Sequence, residues 1–464
     1  MAKRKVINRF NSLTSKEWLP FQKSFFKYSD QKNLLLENIR FFTKTNDEIP
    51  AQIYFWGNNT NLKLLKELET EYNFVVHTDE ISKDLDLDFI IIDILEEIQK
   101  ADFKQYLELK KTIVNKTKFL SNNLKERKFI WIICNNNIYK NSYFPFAWDL
   151  AKTLSNSLSL KDEKIGCRED KSIFYSLYLR KDEKSKKDFT IKNHDFFNNK
   201  SNENNSIIFD LPSWFILKPQ PRKKDEILHP AKFPELLAEM FIKQFSKEGD
   251  NIFDPMSGTG STQIAALQNQ RNAYGTELSN FFCDIANNRC RQLKSNQELI
   301  SKNSLKFNIL NKDVRNIHQS DFPQIDYIIT SPPYWDMLNM KGAENQAKRR
   351  EKGLQLNYSD EKNDLGNIID YNKFVQELTQ IYFDLLKILK PGGFITIVVK
   401  NIKKQGNNYP LAWDLTEKLQ EKLILLPETF WCQNDLSIAP YGYGNTWVSN
   451  TFHHYCLNFR KPLE

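Results

Sequence analysis

The stretch NIFDPMSGTGSTQIAALQN, residues 251–269, joins an apolar strand-like run to a helical run through a loop that contains two glycines. Gly258 and Gly260 allow the backbone to approach a bound molecule at points where a side chain would collide with it. About 20 residues further on, Glu277 ends the strand-like run AYGTE, where a carboxylate can accept hydrogen bonds from both hydroxyls of a ribose. The two features together predict a nucleoside-cofactor site. Without Glu277, a tight turn that packs a helix on a strand would explain the loop as well.

The surrounding sequence alternates between strand-like and helical patterns. The runs DYIIT (326–330), GFITIVV (393–399) and HHYCLNF (453–459) are rich in β-branched and aromatic residues, whereas residues 234–245 and 371–389 have helical periodicity. This alternation predicts a doubly wound α/β sheet.

A second motif, Ser331-Pro-Pro-Tyr334, directly follows the run DYIIT. An exocyclic amine of a nucleic-acid base is a poor nucleophile because its lone pair is delocalised into the ring. Ser331 Oγ and the Pro332 carbonyl could accept both amine hydrogens and favour a pyramidal nitrogen, while Pro333 stiffens the turn and Tyr334 stacks on a flipped-out base. The competing interpretation is an ordinary Pro-Pro turn that is followed by a core tyrosine.

Residues 212–461 resemble the amino (N4-cytosine and N6-adenine) DNA methyltransferases. The resemblance rests on HPAKFP (229–234), DPMSGTGST (254–262), SPPY (331–334), DLG (364–366) and the terminal HHYCLNFRK. It implies a Rossmann-like methyltransferase fold with S-adenosylmethionine as the cofactor and Asp313 on the adenine amine of that cofactor. The cofactor-binding positions that it implies are His229, Phe233, Asp254, Pro255, Gly258, Gly260, Thr262, Glu277 and Asp313.

The resemblance also implies a substrate. Serine before Pro-Pro-Tyr is the form that this family mostly shows in its N4-cytosine enzymes, so we expect a site-specific methyltransferase that acts on N4 of cytosine in double-stranded DNA. A restriction-modification or phage-defence role, with a restriction endonuclease or defence partner, would fit such an enzyme. An N6-adenine enzyme, or a methyltransferase for an RNA base or a protein amide, remains the alternative.

The motif order departs from that of many relatives. Here the glycine motif precedes SPPY, which is a circularly permuted arrangement, and no separate target-recognition domain stands between the motifs. Two other chemistries are disfavoured: C5 methylation would need a cysteine after a proline, which none of the six cysteines has, and the loop lacks the G-x-G-x-x-G spacing of a dinucleotide site.

The N-terminal part of the chain repeats the C-terminal part. Residues 129–154 align without a gap on residues 394–419, and ten of these twenty-six pairs are identical, including a shared P-x-A-W-D-L. We therefore expect a duplicated fold with a catalytic domain over residues 212–464, a linker over 191–211 and a degenerate copy over 1–190. The degenerate copy has IYFWGNN (53–59) in place of the glycine loop and IIDIL (91–95) in place of SPPY. Its expected role is DNA recognition or bracing of the active copy, and the tryptophans of the repeat, Trp148 and Trp413, are expected in the core.

Residues 335–369 form a long polar insert after SPPY. We expect Lys348, Arg349 and Arg350 of this insert to bind DNA phosphates, although a solvated charged surface is the equal alternative. The aromatic loop at 441–445 has the same two interpretations, contact with the flipped base or a surface turn.

Composition sets the outer limits. A length of 464 residues favours two or three domains, and a net charge of +8 with a pI near 8.8 is compatible with a polyanionic partner. No apolar run is long enough for a membrane span and no secretory signal opens the sequence, so we expect a cytoplasmic protein. The cysteines lack metal-ligand spacing, which argues against a structural zinc.

Overall fold

The protein forms two mixed β-sheets with helices packed against them. The structure, a computed structural model, describes residues 8, 10–44, 48–139, 142–183, 189–191, 210–218, 233–297, 305–335, 364–434 and 449–463. The strands of the first sheet lie between residues 25 and 180 and those of the second between 214 and 460. We call these two halves the N-terminal copy and the C-terminal copy.

The N-terminal copy is built on a seven-stranded sheet. Its strands are β1 Phe25–Lys27, β2 Ala51–Trp56, β3 Phe74–His77, β4 Leu87–Asp93, β5 Leu124–Cys134, β6 Asn137–Tyr139, β7 Ser142–Phe144, β8 Ser159–Cys167 and β9 Ile173–Arg180. Its helices are α1 Ser15–Trp18, α2 Gln31–Phe42, α3 Asn59–Glu71, α4 Leu95–Lys100, α5 Phe103–Asn123 and α6 Phe146–Leu154. The sheet order is β1-β8-β9-β5-β4-β2-β3, and β6 pairs only with β7.

The C-terminal copy is built on an eight-stranded sheet. Its strands are β10 Trp214–Ile216, β11 Asn251–Asp254, β12 Asn272–Glu277, β13 Phe307–Asn311, β14 Ile325–Thr330, β15 Leu389–Val399, β16 Ile402–Lys404, β17 Asn407–Tyr409, β18 Ile424–Cys432 and β19 His453–Arg460. Its helices are α7 Glu235–Phe245, α8 Ser261–Gln268, α9 Asn280–Gln297, α10 Tyr371–Leu385 and α11 Leu411–Leu419. The sheet order is β10-β18-β19-β15-β14-β11-β12-β13, and β16 pairs with β17.

The two copies have the same topology. The elements from β5 to β8 have the bounds of those from β15 to β18 at a constant difference of 265 residues (389 − 124), and α6 and α11 differ by the same number. In both sheets the antiparallel strand, β9 or β19, separates the same two neighbours. These correspondences confirm the expected α/β fold and its duplication. In the described residues the C-terminal sheet has one more strand, β13, beyond the counterpart of β3.

Local sequence explains the elements that carry the site. The central strand β14 is buried on both faces, as its nearly continuous apolar run predicts for a parallel sheet covered by helices. Helix α10 begins where the Asp370 side chain accepts a hydrogen bond from Lys373 N, and its buried side chains recur every three or four residues from Phe374 to Leu385. These residues fix α10 against the sheet.

The two copies share one apolar core. A single cluster of buried side chains includes Trp148 and Leu150 of α6 together with Trp413 and Leu415 of α11. The two tryptophan rings stack with their centroids 6.4 Å apart, and both side chains are fully buried. The expectation that they pack in the core is confirmed. Among the described residues, no helix is long and apolar enough to cross a bilayer.

Candidate active site

The glycine loop between β11 and α8 is a tight, left-handed turn. Gly258 and Gly260 have φ angles of 51° and 81°, a region that residues with a Cβ rarely adopt. A Cβ on Gly260 would also lie 3.0 Å from the Cβ of Ala286 in α9. The loop therefore requires glycine at 260 both for the backbone angle and for the close approach of α9.

Hydroxyl groups of this loop are unpaired within the described residues. Thr259 Oγ1 and Ser261 Oγ are buried and have no hydrogen-bond partner there, at the point where α8 begins. Buried polar groups usually have partners, and the first N–H groups of a helix favour polar or anionic ligands. The loop thus has the chemistry of a site that binds a polar ligand.

The Asp254 side chain holds this loop through hydrogen bonds. Its side chain is 1% exposed, accepts a 2.6 Å hydrogen bond from Thr262 Oγ1 and another of 3.0 Å from Met256 N. Burial raises the pKa of Asp254 to about 6, against the lowering effect of Thr262, Met256 and the Thr330 hydroxyl. Both carboxylate oxygens thus have internal partners and hold the loop, and the contact of Asp254 with a cofactor stays a prediction.

Glu277 lies at the carboxyl end of β12, next to the loop. Its Oε2 accepts a 2.8 Å hydrogen bond from Gly258 N and its Oε1 one of 2.9 Å from Ser279 N. Burial, together with the charges of Asp254 and Asp364, raises the pKa of Glu277 to about 7, against the lowering effect of the hydrogen bonds from Ser279 N and Gly258 N. Each carboxylate oxygen has a second lone pair, so the side chain, which is 9% exposed, can still accept hydrogen bonds from a ligand.

The candidate catalytic motif, Ser331-Pro-Pro-Tyr334, begins where the neighbouring strand ends. Strand β14 pairs in parallel with β11, with Phe253 opposite Ile328, so the glycine loop and Ser331 leave the same edge of the sheet from adjacent strands. Ser331, Pro333 and Tyr334 are half-buried, Pro332 is buried, and the side chains of Ser331 and Tyr334 are hydrogen-bonded to each other. The structure thus brings the two motifs together, 69 residues apart in sequence (331 − 262).

Asp313 and Asp364 complete the acidic side of this region. Burial raises the pKa of Asp313, but the hydrogen bonds and charge of Arg315 outweigh it and lower the pKa. Arg315 Nη2 lies 2.6 Å from Asp313 Oδ2. Asp364 is buried, and its charge acts on both Glu277 and Arg315. In the sequence, the only signal for Asp364 was the resemblance of the DLG stretch to the family pattern.

Other predicted positions have different outcomes. Phe233 is buried in the apolar cluster with α7 and Ile252, and the Pro255 carbonyl accepts a hydrogen bond from Thr276 Oγ1. His229, Lys348, Arg349, Arg350 and the loop 441–445 lie outside the described residues.

An aromatic cluster that the sequence did not predict lies next to Ser331-Pro-Pro-Tyr334. The ring of Trp335, the residue after Tyr334, packs against those of Tyr371 and Tyr409 with centroid distances of 5.1 and 4.7 Å. The Lys404 ammonium lies 4.5 Å from the Trp335 ring centroid. An aromatic residue after SPPY and another at the start of α10 were the available signals, but their separation in sequence concealed the contact.

The same edge of the N-terminal sheet is built differently. There Ile53 pairs with Phe89 as Ile252 pairs with Tyr327 in the C-terminal copy, which places buried Phe55 at the position of Asp254. Only residues 57–58 separate β2 from α3, whereas residues 255–260 separate β11 from α8. The N-terminal copy thus has a two-residue connection where the C-terminal copy has a six-residue loop.

The two copies meet through reciprocal contacts. Glu163 of the N-terminal copy accepts hydrogen bonds of 2.7 Å from Asn401 and 2.9 Å from Tyr455. Its counterpart Glu428 accepts bonds of 3.0 Å from Asn136 and 2.5 Å from Tyr175. Asn136 and Asn401 are equivalent in the repeat, as are Tyr175 and Tyr455. The interface therefore has the two-fold character of a symmetric dimer contained in one chain.

Comparison with known proteins shows similarity to DNA methylases. The family model for DNA methylase matches residues 80–288, from just before β4 to α9. The match joins the second part of the N-terminal copy to the glycine loop of the C-terminal copy.

Individual relatives cover shorter parts of the chain. The orphan methyltransferase M.BamHII of Bacillus amyloliquefaciens is 52% identical over 63 residues, which are 14% of this chain and 24% of that protein. The type II methyltransferase M.HinfI of Haemophilus influenzae is 27% identical over 209 residues, 44% of this chain and 57% of that protein. The matches therefore span less than two thirds of the length of these relatives.

The chain also aligns with solved structures. TrmN from Thermus thermophilus aligns with 80% of this chain and 72% of its own, at 13% identity and a TM-score of 0.31. Members of the DNA methylase family take their methyl group from S-adenosylmethionine.

Proposed function

We propose that this protein is an S-adenosylmethionine-dependent DNA methyltransferase that transfers a methyl group to N4 of cytosine. The observation that carries the proposal is the meeting of the glycine loop and Ser331-Pro-Pro-Tyr334 at the ends of adjacent parallel strands. Ligands of open α/β sheets bind at this edge. The family match of residues 80–288 supports DNA as the substrate.

The residues at the glycine loop fit a nucleoside cofactor. Left-handed Gly258 and Gly260 leave room for close backbone approach, Thr259 and Ser261 offer unpaired hydroxyls, and Glu277 offers lone pairs to ribose hydroxyls. Asp313, next to Arg315, would accept from the adenine amine. When bound, S-adenosylmethionine supplies an electrophilic methyl group.

The catalytic motif would position the base amine. Ser331 Oγ and the Pro332 carbonyl accept the two amine hydrogens, so the nitrogen lone pair is held away from the ring plane. Ser331 Oγ has two lone pairs, so it can accept an amine hydrogen while it stays hydrogen-bonded to Tyr334, whose ring would stack on the base. The two prolines lack N–H groups, so the Pro332 carbonyl is available as an acceptor.

The family resemblance and the names of the relatives support the choice of base and the biological role. Serine at position 331 favours cytosine over adenine through the family resemblance. The name of M.HinfI, a type II methyltransferase, favours type II restriction-modification as the context and a restriction endonuclease as the partner class, whereas M.BamHII is named an orphan methyltransferase.

We further propose that residues 1–190 form a non-catalytic copy. Phe55 fills the place of Asp254, the connection after β2 is four residues shorter than the glycine loop (6 − 2), and Ile94 and Leu95 stand where the catalytic prolines would be. The extensive buried interface favours bracing of the catalytic domain, residues 212–464, as the role of this copy.

The test is to incubate the purified protein with S-adenosylmethionine and unmethylated genomic DNA, and to identify modified nucleosides by mass spectrometry. We expect N4-methyldeoxycytidine, lost in Ser331→Ala and retained in the control Asp93→Asn, which alters the corresponding position of the N-terminal copy. N6-methyldeoxyadenosine would overturn the choice of cytosine. No DNA product, together with measurable cofactor binding, would overturn DNA as the substrate and favour RNA or a protein amide.

A further inference from the structure

A hydrogen bond fixes the aromatic cluster behind the catalytic motif to helix α11. Trp335 packs on Tyr371, and the Tyr371 hydroxyl donates a 2.6 Å hydrogen bond to Asp414 Oδ2. Trp335 Nε1 also donates to the Ile369 carbonyl at 3.0 Å. Trp335 immediately follows Tyr334, so the position of Tyr371 is transmitted to the end of the catalytic motif.

The cation that pairs with Asp414 comes from the other copy. Lys152 of α6 places its Nζ 2.7 Å from Asp414 Oδ1 and also contacts Glu417. Burial lowers the pKa of Lys152, but the charges of Asp414 and Glu417 outweigh it and raise the pKa, so the ammonium stays charged. One lysine of the N-terminal copy thus compensates two carboxylates of the C-terminal copy.

In the N-terminal copy, the lysine that pairs with the equivalent aspartate belongs to the same copy. Its Tyr106, the counterpart of Tyr371, donates a 2.6 Å hydrogen bond to Asp149, the counterpart of Asp414. Lys110, on the same helix as Tyr106, lies 2.7 Å from Asp149. In the C-terminal copy the position of Lys110 is taken by Val375, and that of Lys152 by Glu417.

The difference between the copies has a physical consequence. Without Lys152, Asp414 and Glu417 would be two neighbouring carboxylates in a partly buried site, and their repulsion would move Asp414 away from Tyr371. The Tyr371 ring would then lose its anchor beside Trp335. The degenerate copy therefore supplies the one charge that the catalytic copy does not carry at this position of its own helix.

We propose that Lys152 is a positioning residue for methyl transfer, which acts across the interface through Asp414, Tyr371 and Trp335 on the catalytic motif. This inference rests on the proposed methyltransferase function. It assigns to the N-terminal copy a specific contribution to catalysis, beyond bracing in general.

The test is steady-state kinetics of DNA methylation by Lys152→Met and Lys152→Arg. Misplacement of reacting groups by about 1 Å can lower a rate about 100-fold, so we expect kcat of Lys152→Met to fall about 10- to 100-fold. The KM for S-adenosylmethionine should not change, because the glycine loop is untouched. Lys152→Arg, which keeps the charge, should recover most of the rate.

The matched control is Lys125→Met. Lys125 pairs with Asp88 at 3.0 Å near the amino ends of the central strands β5 and β4, so its loss removes a lysine–aspartate pair of the same copy and should leave kcat unchanged. In a double-mutant cycle, Lys152→Met should add little to the loss in Tyr371→Phe. Three outcomes would overturn the proposal. They are additive losses in this cycle, an unchanged kcat in Lys152→Met and, if Lys152→Met does not fold, an unchanged kcat in Tyr371→Phe.

A second readout does not depend on activity. In protein labelled with 5-fluorotryptophan, the ¹⁹F resonance of Trp335 is assigned by its loss in Trp335→Phe. Lys152→Met should shift this resonance and Lys125→Met should not. If wild-type protein methylates no DNA, the proposed function fails, whereas an unshifted Trp335 resonance overturns the positioning role alone.

Discussion

Glu277 offers the sharpest test of the cofactor site, because its ionisation should control cofactor affinity near neutral pH. Burial raises its pKa to about 7. The ionised carboxylate accepts hydrogen bonds on both oxygens, whereas the protonated form has one oxygen that must donate and that faces the N–H of Gly258 or Ser279. We therefore expect the cofactor to bind the ionised form.

The magnitude follows from the pKa. If only the ionised form binds, the apparent Kd is multiplied by about 11 at pH 6 and by about 1.1 at pH 8, for a pKa of about 7. Affinity should thus rise about tenfold between these pH values. Asp254, with a pKa of about 6, interacts with Glu277, so the two carboxyl groups titrate as a pair and the curve broadens at its acidic end.

The stability of the unliganded protein should change in the opposite direction. The folded-state pKa of Glu277 lies above its ordinary value of 4.5, so the folded state binds more protons than the unfolded state between about pH 4.5 and pH 7. The contribution of this group to the free energy of unfolding is therefore present at low pH and lost as pH rises through this window.

The assay is isothermal titration calorimetry with S-adenosylhomocysteine at pH 6, 7 and 8. Glu277→Gln should bind more weakly and lose the pH dependence. Asp313→Asn is the matched control: the pKa of Asp313 is lowered by Arg315, so its substitution should change affinity without altering the slope between pH 6 and 8. A wild-type Kd that is constant over this range, or a pH slope retained in Glu277→Gln, would refute the reasoning.

Three further predictions concern the loop, the N-terminal copy and the core. Gly260→Ala should weaken cofactor binding and lower the free energy of unfolding by more than the roughly 1–2 kcal/mol of left-handed strain. The control Gly249→Ala, at φ 85° with open space around it, should show the strain alone. Equal losses of stability in the two variants, measured by chemical denaturation, would contradict the contact of Gly260 with Ala286. Asp93→Asn should leave the Kd for S-adenosylhomocysteine unchanged, and loss of binding would show that the N-terminal copy holds the cofactor. Trp148→Ala should destabilise the protein by about 3–5 kcal/mol in a single calorimetric transition, because its ring packs on Trp413 of the other copy; two separated transitions would show that the copies unfold independently.

Part of the site was determined by local sequence. The glycine loop, Glu277 and Ser331-Pro-Pro-Tyr334 each follow a strand, and strands of a doubly wound sheet end at a common edge, so their meeting was predictable without coordinates. Their detailed roles were not. The sequence did not show that the Asp254 carboxylate accepts hydrogen bonds from Thr262 and Met256, because this depends on how the loop closes over the carboxylate.

The duplication was likewise visible in the sequence, because ten identical pairs in a gapless stretch of twenty-six specify two folds of one kind. The sequence could not show that the copies face one another. The partners of Glu163 and Glu428 across the interface lie 238 to 292 residues away, and Lys152 lies 262 residues from Asp414. No periodicity or spacing relates side chains at such separations. The local sequence pattern determines which strands and turns form. Only the two-fold packing of the copies decides which charged side chain pairs with which carboxylate, because a buried acid can pair only with groups that the opposing surface presents.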